Sequence, residues 1–190
     1  CISRSVADEL LGFVEREGLE RRDLKIGWWH LGANPPTFGC DSKESVCGPI
    51  GGNYLLMVGT IAPHKNQALA LDAFERLWVE NVNLSLVIAG KPGWLIDDLI
   101  FRLRNHSQLL RRLHLIESPS DGEIESLYRN ASALLMLSKG EGFGLPLIEA
   151  SHFGTPILAS DIPVFREIAG DHATYVDIRD AEGLVRGLKK

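Results

Sequence analysis

Five short, continuous apolar runs recur along this chain, and each is followed by a longer stretch with helical spacing. The runs are Tyr54-Leu55-Leu56-Met57-Val58, Leu84-Ser85-Leu86-Val87-Ile88, Leu113-His114-Leu115-Ile116, Ala133-Leu134-Leu135-Met136-Leu137 and Pro156-Ile157-Leu158-Ala159. A strand with one wet face would alternate apolar and polar residues. These runs do not, so they read as strands of a parallel sheet buried on both sides. The helical stretches are Asn66 to Val79, Leu95 to Asn105, Gly122 to Asn130, Pro146 to Phe153 and Val164 to Ala169. Ser120-Asp121-Gly122-Glu123 has the form of a capping box at the start of the third. Strand and helix repeating at this pitch predict an α/β sandwich around a parallel sheet. With 190 residues, 45% of them hydrophobic, the chain has material for one proper core.

The first fifty residues are organised differently. Val6 to Glu17 carries a helical stripe, and Lys25 to Trp29 reads as a strand. Residues 32–52 hold three of the nine prolines and five glycines, the composition of a long loop or linker. A loop of that length borders a cleft or joins two bodies. The start, Cys1-Ile2-Ser3-Arg4-Ser5, is polar and lacks both an initiator Met and the pattern of a signal peptide, as expected for a piece of a longer protein.

Charge and cysteine content exclude several classes. A net charge of -5 does not supply the basic footprint of a nucleic-acid binder. No apolar run approaches the roughly 18 residues needed to span a bilayer. Three cysteines, Cys1, Cys40 and Cys47, are too few for a disulfide framework, and their odd number fits a reducing, cytoplasmic setting. The Cys40–Cys47 spacing is too wide for a zinc pair, so no metal site is expected.

In wound parallel sheets, ligands bind at the carboxyl ends of the strands. The loops there are Gly59-Thr60-Ile61-Ala62-Pro63-His64-Lys65-Asn66, Ala89-Gly90-Lys91-Pro92-Gly93-Trp94 and Ser138-Lys139-Gly140-Glu141-Gly142-Phe143-Gly144-Leu145-Pro146. Each combines glycine, which lets backbone amides approach an oxyanion, with at least one cation beside a helix start. A phosphate-bearing ligand is the expectation. No G-x-x-x-x-G-K-[ST] run is present, which excludes a P-loop nucleotide hydrolase. Nor does G-x-G-x-x-G follow the first strong strand, which argues against a dinucleotide dehydrogenase. Lys65 has no acidic partner near it in sequence, and that favours a ligand role. Glu141 inside a glycine loop would repel a pyrophosphate. Pro146 suits the first helical position, which puts Glu149 about one turn in and leaning back toward Glu141. Two carboxylates so placed can accept hydrogen bonds from vicinal sugar hydroxyls.

Glu141-Gly142-Phe143-Gly144-Leu145-Pro146-Leu147-Ile148-Glu149-Ala150 with Gly154-Thr155-Pro156-Ile157-Leu158-Ala159-Ser160 closely resembles the retaining glycosyltransferases of family 4, which have GT-B architecture. Val58-Gly59-Thr60, Pro63-His64-Lys65-Asn66, Leu127-Tyr128-Arg129-Asn130-Ala131, Ser138 and Ile162-Pro163-Val164-Phe165-Arg166-Glu167 match the same pattern, which begins at Ile2-Ser3. The resemblance implies the C-terminal, Rossmann-like donor-binding domain, a parallel sheet with helices on both faces.

It also implies roles. Glu149 would bind the ribose hydroxyls of a nucleotide-diphosphate sugar. Glu141 would face the donor hexose, with the amides of Phe143, Gly144 and Leu145 and the backbone of Gly142 near sugar and phosphate. Lys65 would neutralise the diphosphate leaving group beside Gly59, Thr60 and His64. Glu117-Ser118-Pro119 would hold the base, and Leu145 would pack on the nucleotide. Lys65 and Glu141 are thus the catalytic candidates, with no cofactor and no metal required. The sequence departs from the family in having Thr60 and His64 where relatives place arginine. One firm cation then remains, unless Lys139 or Lys91 supplies another. The partners implied are GDP-mannose as the first donor guess and a glycan or lipid-linked acceptor met through the missing N-terminal domain. The setting is cytoplasmic polysaccharide assembly, at the inner face of the membrane for a full-length enzyme, and the isolated fragment should be inactive. An epimerase of the same architecture and a non-catalytic nucleotide-sugar-binding or scaffold module are the rival readings.

Overall fold

A computed structural model describes residues 1–19, 23–32, 50 and 52–189. The five apolar runs each become a strand, and a sixth joins them: β1 (Tyr54–Val58), β2 (Ser85–Ala89), β3 (Leu113–Ile116), β4 (Ala133–Met136), β5 (Ile157–Ser160) and β6 (Ala173–Val176). All pairings are parallel, in the order β3-β2-β1-β4-β5-β6. Between them run α2 (Gln67–Val79), α3 (Asp97–Arg104), α4 (Asp121–Asn130), α5 (Leu145–His152) and α6 (Pro163–Ala169). Helix α1 (Arg4–Arg16) precedes the sheet and α7 (Ala181–Leu188) follows it.

Alternate residues of each strand enter opposite cores, as the two-residue period of a strand requires. Leu55 and Met57 of β1 join Leu86, Ile88 and Leu135 against Phe74 and Leu77 of α2 and Leu184 of α7. Tyr54 and Leu56 join Val87, Leu134 and Met136 against Tyr128, Leu147 and Phe165 on α4, α5 and α6. Helices therefore cover both faces. The capping box at Ser120 and Glu123 is formed, with Ser120 Oγ accepting from the Glu123 amide and the Glu123 carboxylate accepting from the Ser120 amide.

Three sequence expectations need correction or limits. Lys25 to Trp29 is not a strand; Trp29 N donates to Cys1 O at 3.0 Å and the Cys1 ammonium to Gly27 O at 2.6 Å, which pins the segment to the first residue without a strand ladder. The sixth strand, Ala-Thr-Tyr-Val, is short and half-exposed at the sheet edge, so it carries no continuous apolar run. The loop expected over residues 32–52, with Cys40 and Cys47, falls mostly outside the described residues.

One carboxylate clasps the first turn of helix α1. Glu167 on α6 accepts from the amides of Arg4 and Ser5 at 2.7 and 2.8 Å, from Ser5 Oγ at 2.7 Å and from His30 Nε2 at 2.7 Å. Burial opposes ionisation of this group. The bonds from Ser5, Arg4 and His30 outweigh it and hold the carboxyl at about 2 instead of 4.5. A depressed carboxyl stabilises the fold fully above its unfolded value, and that contribution drains away as pH falls through the folded value. Between pH 4.5 and 2, the wild type should therefore lose more stability than Glu167→Gln, as read from urea-denaturation midpoints of the two chains.

Candidate functional site

The strand order reverses between β1 and β4, which pair through Leu55 with Ala133 and Leu56 with Leu134. From β1 the chain leaves toward β2, and from β4 toward β5, so the two loops diverge and leave a crevice at the carboxyl edge. Main-chain bonds fix both lips. Ile61 N donates to Lys91 O and Gly93 N to Ile61 O, each at 2.9 Å, while Lys139 N donates to His64 O at 2.8 Å. Gln67 braces the first loop from inside, its amide donating to Thr60 O at 3.2 Å.

Lys65 and Glu141 meet across this crevice. The ammonium donates to Glu141 Oε1, and both side chains are largely buried, at 18% and 12% exposure. Ser138 Oγ donates to the same oxygen at 2.7 Å. Ser138 is itself buried, and its carbonyl accepts from Ser160 Oγ at 2.6 Å. Lys65 has no acidic partner near it in sequence, but the fold supplies one. Its partner lies 76 residues away on another strand's loop, where only the sheet order brings it near. Next to Lys65, Asn66 is buried in a left-handed conformation (φ 64°), and its Nδ2 has no hydrogen-bond partner.

The second carboxylate is held from a different direction. Helix α5 begins at Leu145, one residue earlier than the proline suggests, behind Gly144 at φ 96°. A side chain is disfavoured there twice, by the positive φ and because a Cβ would stand 3.1 Å from both Leu147 and Phe165. No side chain caps this helix, and of its first amides that of Leu147 donates to Gly144 O at 2.9 Å. Glu149, one turn in, accepts from Tyr128 Oη at 2.7 Å. Burial, then the Glu149 charge and bond, push the Tyr128 phenol well above its ordinary range, so it stays a donor. Tyr128 also stacks on Phe153, and its carbonyl accepts from Thr155 Oγ1 at 2.7 Å. Tyr128 lies in the Leu127-Tyr128-Arg129-Asn130-Ala131 motif, but the sequence assigns it no role, because its partner Glu149 is 21 residues away on the next helix.

The remaining candidates lie around the rim. Thr60, Lys91, Ser118 and Lys139 are exposed, and Leu145 is 43% exposed. His64 stacks on Trp94, with centroids 5.7 Å apart. Gly59, Gly142 and Phe143 belong to the two lips, with Phe143 buried. Glu117, beside Ser118, pairs with Arg104 at 2.7 and 2.8 Å, whose hydrogen bonds hold that carboxyl below its usual range. Trp28, Trp29 and Trp94 are all substantially exposed rather than core residues. Among the described residues no group of His, Cys, Asp or Glu side chains gathers to hold a metal ion, and no helix is long and apolar enough to cross a membrane.

Residues 48–190 match the model of the family described as glycosyl transferases group 1. The chain is 39% identical over 184 residues to the serotype-specific mannosyltransferase WbdA of Escherichia coli, covering 92% of this chain and 23% of that protein. It is 32% identical over 140 residues to the O-antigen chain mannosyltransferase RfbU of Salmonella typhimurium, covering 72% of this chain and 38% of that one. The chain thus spans only about a quarter to two fifths of the length of these relatives. In structure it is similar to the alpha,alpha-trehalose 6-phosphate synthase of Burkholderia multivorans, with a TM-score of 0.73 over 99% of this chain and 50% of that one. At 14% identity that likeness speaks to the fold alone.

The Lys65–Glu141 pair should show strong coupling. Removing either partner leaves a largely buried charge uncompensated. In a double-mutant cycle of Lys65→Met and Glu141→Gln, chemical denaturation should give a coupling energy of about 1–3 kcal/mol. Additive losses would show that the two charges do not stabilise one another.

Proposed function

The chain belongs to the group 1 glycosyl transferases, and from that premise we propose that it binds a nucleotide-diphosphate sugar and serves glycosyl transfer with retained anomeric configuration. The observation that carries this reading is the crevice itself. A cation, two acceptor carboxylates and the uncapped start of α5 stand together where the strand order reverses. Diphosphate, hexose and ribose each find chemistry that suits them there.

Lys65 and the first amides of α5 stabilise the diphosphate as the bond from the anomeric carbon to its oxygen breaks. The acceptor hydroxyl oxygen bonds that carbon in its place, and its proton passes to the departing diphosphate oxygen. Because Lys65 is already paired with Glu141, the diphosphate competes for it, and release frees the Glu141 carboxylate to accept from sugar hydroxyls. Glu149, oriented by Tyr128, accepts from the ribose. Ser118 and its neighbours lie on the β3 side, where the base would rest. Thr60 and His64 add no permanent charge, which leaves Lys65 the main cation for the diphosphate.

The mannosyltransferase names of WbdA and RfbU favour GDP-mannose as the donor and O-antigen-like polysaccharide assembly as the setting. A glycan or lipid-linked acceptor would be positioned with further protein beyond this donor-binding part, and for that reason the 190-residue chain alone should not complete transfer.

Calorimetry with GDP, UDP, ADP and the matching sugar nucleotides tests the reading. Preference for one nucleotide supports it, and no binding of any leaves the non-catalytic module. Glu149→Ala should weaken nucleotide and sugar nucleotide alike, by about 1–3 kcal/mol, since both contain the ribose. Glu141→Ala should spare the free nucleotide and erase the extra affinity given by the sugar. The reverse pattern would overturn the assignment of the two glutamates.

A further inference from the structure

The lip that carries Glu141 is held by residues far from it in sequence. Ser3 is fully buried, and its hydroxyl donates to Gly142 O at 2.8 Å while accepting from the Val6 amide at 3.3 Å. Ile2 lies so close that a Cβ at position 142 would stand 2.8 Å from its Cδ1. The His30 ring packs 5.7 Å from Phe143, with Trp28 5.1 Å behind His30. Thus Ile2, Ser3 and His30 together form the back wall of Gly142–Phe143.

One side chain holds His30 itself and the two residues that follow Ser3. Glu167 takes Arg4 N and His30 Nε2 on its Oε1 and Ser5 N and Ser5 Oγ on its Oε2. Arg4 and Ser5 follow Ser3 directly, so fixing their amides fixes the Ser3 hydroxyl over Gly142. A carboxylate suits this task because both oxygens accept and neither donates. A carboxamide of the same shape offers one accepting oxygen and turns an NH2 toward donors. Among the described residues Glu167 forms no hydrogen bond or ion pair with Lys65, Glu141 or Glu149, and each of its two oxygens accepts from two donors.

We propose that Glu167 is a positioning residue for the donor loop: by clasping the first turn of α1 and His30, it presses Ser3 and His30 onto Gly142–Phe143. It thereby sets the backbone beside Glu141 that meets the sugar. The inference rests on the donor-binding reading above. It predicts a selective effect, because the nucleotide half of the site, with Glu149 and Tyr128, is anchored separately through α4 and α5.

The test compares the wild-type 190-residue chain with Glu167→Gln and Ser3→Ala. The first readout needs no ligand: amide order parameters at Gly142 and Phe143 by NMR. In the wild type they should lie near the rigid value of about 0.85, and in both variants they should fall toward about 0.6. Glu167→Gln should also loosen Arg4 and Ser5, which Ser3→Ala leaves clasped. The second readout is the ratio of GDP-mannose to GDP affinity by calorimetry. Both variants should reduce that ratio about tenfold at nearly constant GDP affinity, or roughly 1.4 kcal/mol confined to the sugar half. Loosening of Arg4 and Ser5 with unchanged order at Gly142–Phe143 and an unchanged ratio would overturn the proposal and leave Glu167 as an anchor for α1 only. Should the wild type bind neither GDP-mannose nor any other sugar nucleotide, the donor-binding reading falls, and the order parameters alone then decide whether the clasp controls the loop.

Discussion

The parallel pairing of β1 with β4 is the constraint on which the rest depends. Each strand continues into a crossover that returns to the sheet on its own side, so the loops above this one junction must separate. Between β1 and β2 the loops close over one another through Ile61 and Lys91, whereas the two lips at the reversal are tied lower down, where Lys139 N donates to His64 O. The gap that results draws a lysine from one side and a glutamate from the other into a partly buried pair.

A pair in that position is both a stabilising contact and a site held ready. Taking two charges out of water costs several kcal/mol each unless attraction and further hydrogen bonds compensate. Here Ser138 adds the further bond on the carboxylate, and Ser160 holds Ser138 in turn. The same arrangement keeps the lysine extended into the crevice instead of folded onto the surface. On the proposed reading, a donor diphosphate replaces a carboxylate with a stronger anion, so the cation is already in place and only its partner changes. The Tyr128–Glu149 bond prepares the other end in the same way, since a phenol held neutral by burial is a fixed donor. Preorganised polar groups of this kind act without reorganising when the ligand arrives.

The third support comes from outside the sheet. Helix α1 buries little of itself, chiefly Ser3 and Ala7, and leaves Leu10, Leu11 and Phe13 substantially exposed. Its attachment is therefore polar and local rather than a broad apolar interface, and it converges on Glu167. That concentration makes the position of α1, and with it the back wall of Gly142–Phe143, sensitive to one carboxylate.

What this sequence determines by itself is whatever depends on near neighbours. Continuous apolar runs mark strands buried on both faces, and five of the six strands are legible from that pattern alone. The capping box at Ser120 and the glycine–proline start of α5 are legible for the same reason, because a cap involves residues three or four apart. The sixth strand escapes the pattern, since Thr174 and Tyr175 sit on an edge that is half exposed, and Lys25–Trp29, which reads as a strand without being a continuous apolar run, joins no ladder. Lys65, Glu141 and Glu149 can each be picked out as residues with chemistry, yet nothing local shows that Lys65 already has a partner, that Tyr128 holds Glu149, or that Glu167 clasps α1. Those pairings span 76, 21 and about 160 residues. They exist only once the order of strands is settled, because burial gives value to a charge or hydroxyl according to what the opposite wall supplies, and the tertiary fold alone chooses the opposite wall.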